Sequence, residues 1–95
     1  MGTKLRFECE FEDQGPARIA YEISGHPIDK AEVRIEDQTS VLYCNKNACQ
    51  VLAEVFAKLA IGSYKPGFHL HLKENFDSDD KEMLRIVLVP DDDHK

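Results

Sequence analysis

Asn47-Ala48-Cys49-Gln50-Val51-Leu52-Ala53-Glu54-Val55-Phe56-Ala57-Lys58-Leu59-Ala60-Ile61 is the one segment of this 95-residue chain whose apolar residues recur at helical spacing. Ala48, Leu52, Val55, Phe56 and Leu59 fall at i, i+4, i+7, i+8 and i+11 and draw one apolar stripe. Gln50, Glu54 and Lys58 line the opposite side, with Glu54 and Lys58 in the favourable i,i+4 order. Asn47 with Gln50 three residues on predicts a capping box, Asn45 is a competing start, and Gly62 predicts a left-handed stop. One amphipathic helix covers one face of one sheet, so the flanking segments have to supply that sheet.

Upstream, Lys4–Glu12 alternates: Leu5, Phe7, Cys9 and Phe11 on one side, Lys4, Arg6, Glu8, Glu10 and Glu12 on the other. A period of two predicts a strand with one buried face. Asp13-Gln14-Gly15-Pro16 is a turn signal, and Ala17–Ile23 reads as the hairpin partner. Ala31, Val33 and Ile35 alternate with Glu32, Arg34 and Glu36 as a third strand; Asp37–Ser40 is a turn, and Val41–Cys44 a short fourth strand. Downstream, Phe68, Leu70 and Leu72 alternate with His69, His71 and Lys73. Glu74–Glu82 is an acidic loop, and Met83–Val89, apolar except for Arg85, reads as a central strand closed by Pro90. The expectation is an α+β domain of two layers: an antiparallel or mixed sheet of about six strands with the helix Asn47–Ile61 on one face, in the order ββββαββ. Residues 1–90 are expected to form a single domain and 91–95 an acidic flexible tail.

Twelve basic against eighteen acidic residues leave a net charge of −6, which disfavours nucleic acid and anionic membranes as partners. The three cysteines, Cys9, Cys44 and Cys49, are too few and too irregularly spaced for a disulfide framework or a structural zinc site; they read as reduced thiols, with Cys9 and Cys49 facing the core. Met1–Glu12 lacks the apolar core of a signal peptide, and no segment reaches the ~20 apolar residues of a membrane helix. The expected location is cytoplasmic.

A single helix leaves the second face of the sheet open. Arg6, Glu8, Glu10, Glu22, Arg34, His69, His71 and Arg85 are expected there as a mixed-charge surface suited to selecting a protein partner by charge. His69 and His71 lie ~6.5–7 Å apart on one side of a strand, a spacing a metal could use with Glu8, Glu10 or His26 as third ligand. A surface pair titrating near neutrality is the competing account. No Gly-rich phosphate loop, nucleophile elbow or activated nucleophile is present, so neither catalysis nor a cofactor is expected. The aromatics Phe7, Phe11, Tyr21 and Phe68 share the apolar side, unlike the stacking platforms of RNA-recognition sheets.

Asn45–Ala60, then His69-Leu70-His71-Leu72, then Glu82-Met83-Leu84-Arg85-Ile86-Val87 resemble, in that order, the small bacterial immunity proteins of the Imm32 type. Asn45, Leu52, Ala53, Leu59, Ala60, His69, His71 and Leu72 carry the resemblance, whereas Cys44, Ala48 and Cys49 depart from it. The resemblance implies a non-catalytic domain that neutralises a cognate toxin by binding it. The alternatives from the residues themselves are a small homodimeric structural or regulatory domain and a metal-binding protein using His69 and His71.

Overall fold

The computed structural model describes residues 2–13, 15, 28–77 and 79–91. Within them the chain forms β1 (Ala31–Glu36), β2 (Thr39–Cys44), α1 (Lys46–Ile61), β3 (His69–Lys73), a 3₁₀ turn (Glu74–Phe76) and β4 (Glu82–Val87). The fold is α+β, but the expected six-stranded sheet does not form. The four described strands make two separate two-stranded antiparallel sheets, β1–β2 and β3–β4, in the order ββαββ. Lys4–Glu12 is not a strand, and Leu5 (87%) and Phe7 (50%) on its apolar side stand exposed. Alternation specifies the two faces a strand would have. It does not supply a free sheet edge or an uncovered apolar surface to dock on. Its expected partner, Ala17–Ile23, lies outside the described residues. β4, expected in the centre of a sheet, pairs with β3 alone among the described strands.

The core lies where the α1 stripe meets both hairpins. Ala48 and Leu52 pack with Ala31 of β1, Leu72 of β3 and Phe76 of the 3₁₀ turn, and Cys44, Val51, Leu70, Met83, Leu84 and Ile86 close around them. Val55 and Leu59 continue the buried stripe, but Phe56, expected on it, is half exposed. Two-stranded hairpins are marginal on their own, so each draws its stability from this shared contact.

Local chemistry sets the joints. β1 and β2 meet in a two-residue turn with both Asp37 and Gln38 at positive φ, the twist that a tight hairpin needs. Asn45 caps α1: its side-chain oxygen accepts from the Ala48 amide at 2.9 Å. The Asn47–Gln50 capping box is therefore not formed, and Gln50 donates instead to Glu54 one turn on. Gly62 ends the helix in extended backbone (φ −77°), not the left-handed conformation expected. Glycine is needed there because a Cβ would sit 2.7 Å from both the Lys58 carbonyl oxygen and the Tyr64 ring. Beyond β3, Asn75 and Phe76 both take positive φ. This bend swings the Phe76 ring inward, while the Asn75 side-chain oxygen accepts from the Ala31 amide at 2.8 Å and fixes the start of β1.

Candidate functional site

Separation into two hairpins distributes the residues expected on one charged face among distinct places. Arg6, Glu8 and Glu10 lie on the N-terminal segment, where Arg6 pairs with Glu8 at 2.8 Å. Glu22 lies outside the described residues, as does His26. Arg34 is on β1, and His69, His71 and Arg85 share the outer face of β3–β4.

On β3–β4, antiparallel register sets His71 opposite Arg85. An irregularity between Leu72 and Lys73 then pairs Lys73 with Glu82 and leaves Met83 as the extra residue. Met83 turns toward the core, and Glu82 joins the outer face. There its carboxylate accepts from Arg85 Nε (3.0 Å) and Nη2 (3.1 Å) and lies 3.1 Å from His71 Nδ1. The Arg85 fork, and then His71, hold the Glu82 carboxyl down at about 2, and Glu82 in turn raises Arg85. His69 and His71 rings stand edge to face with centroids 5.1 Å apart. No group of three His, Cys, Asp or Glu residues that could hold a metal occurs among the described residues.

The Glu82 cluster predicts a specific acid response. A carboxyl lowered in the folded state stabilises the fold above its unfolded value of about 4.5, and that contribution is lost as pH falls towards 2. Denaturant midpoints measured from about pH 6 down to pH 2 should therefore fall more steeply for the native chain than for Glu82→Gln. Parallel curves would show that the cluster adds nothing to stability.

On β1–β2, one face carries Glu32, Arg34, Glu36 and Tyr43. Arg34 donates to the Glu32 carboxylate and lies over the Tyr43 ring, 4.7 Å from its centroid. The Tyr43 hydroxyl donates to Glu36 at 2.6 Å, which raises the Tyr43 hydroxyl above its ordinary value, as Glu32 does for Arg34. The opposite face carries Ala31, Val33 and Ile35 beside Cys44, Leu42 and Ser40. This row starts in the core, with Ala31 at 1% exposure, and ends outside it, with Ile35 at 69% and Leu42 at 42%. Leu42 and Tyr43 were not singled out by the sequence, because a four-residue apolar run has no readable register. The tight Asp37–Gln38 turn is what sets it.

A groove of about 310 Å³ lies between the end of α1 and the chain after β4, lined by Leu59, Ala60, Gly62, Tyr64, Pro66, Leu88, Val89 and Asp91. Among the described residues its polar side chains are the Tyr64 hydroxyl and the Asp91 carboxylate. No helix among the described residues is long and apolar enough to cross a membrane. No family model matches the chain, and no curated protein or solved structure does.

Proposed function

We propose that this chain is a non-catalytic protein-binding domain that engages its partner through the outer half of the β1–β2 hairpin. The observation that carries this is the apolar row that leaves the core and emerges at Ile35 and Leu42, with Arg34 stacked on Tyr43 across the same hairpin. Ile35 and Leu42 present apolar area on one face of the hairpin, and Tyr43 with Arg34, residue types that recur in binding hot spots, stand on the other. The net charge of −6 favours a basic partner. The resemblance to immunity proteins suggests a cognate toxin in that role.

The test is a pull-down from lysate of the source organism with the untagged domain coupled to resin, with Ile35→Glu and Glu10→Lys domains in parallel. A stoichiometric basic protein retained by the native and Glu10→Lys domains, and held about tenfold more weakly by Ile35→Glu, supports the proposal. Loss with Glu10→Lys alone would move the binding surface to the N-terminal segment. The same row also fits a second copy of the chain. Light scattering that shows a dimer dissolved by Ile35→Glu would replace the partner reading with self-association.

A further inference from the structure

β2 ends at Cys44 and α1 begins at Lys46, so a single residue, Asn45, joins strand to helix. This abrupt join brings Cys44 against the first turn of the helix, where Cys49 sits four residues past the cap. Their sulfurs are 3.3 Å apart. Cys49, expected in the core, is exposed, while Cys44 is half buried against the core cluster. The third thiol, Cys9, is on the N-terminal segment.

We propose that Cys44 and Cys49 form a reversible redox site, oxidised by a hydroperoxide to an intramolecular disulfide that clamps the join between β2 and α1. Exposure assigns the roles. The Cys49 thiolate attacks the peroxide oxygen and the O–O bond breaks; Cys49 becomes a sulfenic acid, and an alcohol, or water from hydrogen peroxide, leaves. Cys44 then attacks the Cys49 sulfur, the S–O bond breaks, the S–S bond forms, and the departing hydroxide takes the Cys44 proton and leaves as water. Two electrons pass from the two sulfurs to the peroxide: two thiols and one hydroperoxide give one disulfide, one alcohol and one water. The hydrogen bond with Cys49, and then partial burial, push the Cys44 thiol up, consistent with Cys44 as the proton-bearing second partner.

The bridge would close across Asn45. That side chain caps α1 at Ala48, accepts from the Lys30 amide at 3.3 Å and donates to the Ile28 carbonyl. Drawing the sulfurs from 3.3 Å to the ~2.05 Å of a disulfide therefore acts on the point where β2, α1 and the segment before β1 are tied together.

Trypsin cuts after Lys46, between the two cysteines, which makes the test direct. The reduced full chain is treated with equimolar hydrogen peroxide, alkylated, digested and read by mass spectrometry. The expected product is a reductant-sensitive pair joining Ile35–Lys46 to Asn47–Lys58, with free thiols falling from three to one. Cys44→Ser should leave a sulfenic acid at Cys49 that dimedone captures, and Cys49→Ser should consume peroxide about tenfold more slowly. Cys9→Ser should give the same linked pair as the native chain. Three thiols surviving the peroxide, a bridge to Cys9, or Cys49 driven to sulfinic acid with no linked pair would each overturn the proposal. The peptide map of the native chain decides between these outcomes even if a variant fails to fold.

Discussion

Phe76→Ala should lower the unfolding free energy by about 3–5 kcal/mol, as large-to-small changes at fully buried aromatics do. Phe76 is 1% exposed and is among the largest side chains wholly inside the molecule. It packs in a cluster that joins residues of α1, β1 and β3. Its loss opens a cavity at the junction where α1 meets both hairpins. The backbone contribution cancels, because alanine tolerates the positive φ at this position no better than phenylalanine. Phe56→Ala is the control: half exposed on α1, it should cost about 1 kcal/mol or less. Urea unfolding at 25 °C measures both. Equal losses at the two positions would show that the core is not centred on Phe76.

The same junction explains how much of the fold was legible beforehand. α1 was readable to within a residue because a helix carries its own hydrogen bonds and its stripe is a local property. β1, β2, β3 and β4 were readable as strands for a similar reason: each pairs with its neighbour in sequence, across a two-residue turn for β1–β2 and across residues 74–81 for β3–β4. How the hairpins assemble was not readable. Whether alternating segments merge into one sheet depends on edges and covered faces far away in sequence, and Lys4–Glu12 shows alternation without a strand. Phe76 was hidden inside an acidic loop. Only the consecutive left-handed residues Asn75 and Phe76 turn it inward, and no periodicity announces them.

The candidate sites divide along the same line. His69 and His71 were placed on one face correctly, because two residues on a strand are a local matter. Glu82 was missed as their neighbour because the irregularity at Leu72–Lys73 changes which side it faces. Arg34 was placed on an exposed strand face, but its companion there, Tyr43, follows from register. The sequence places Cys49 in the core and pairs it with neither of the other thiols. Its contact with Cys44 depends on α1 starting at Lys46, and that start follows from Asn45, not Asn47, being the cap.

Asn45→Ala should cost about 2–3 kcal/mol, more than a surface cap alone would. Loss of an N-cap side chain typically costs about 1 kcal/mol. Here the same side chain also accepts from the Lys30 amide and donates to the Ile28 carbonyl, and each further hydrogen bond adds roughly 0.5–1.5 kcal/mol. The backbone bond from the Asn45 amide to the Lys30 carbonyl, at 3.0 Å, survives the substitution, so the segment before β1 is loosened but not released. Asn45→Ser separates the two roles. Serine can still cap α1 but cannot donate to Ile28, so its cost should fall midway between the native chain and alanine. Urea midpoints give the energies, and far-ultraviolet circular dichroism reports whether the first turn of α1 frays. If serine were as damaging as alanine, the cap would contribute nothing and the tie to the segment before β1 would carry the whole effect. If alanine cost less than about 0.5 kcal/mol, Asn45 would not be the joint that positions Cys44 against Cys49.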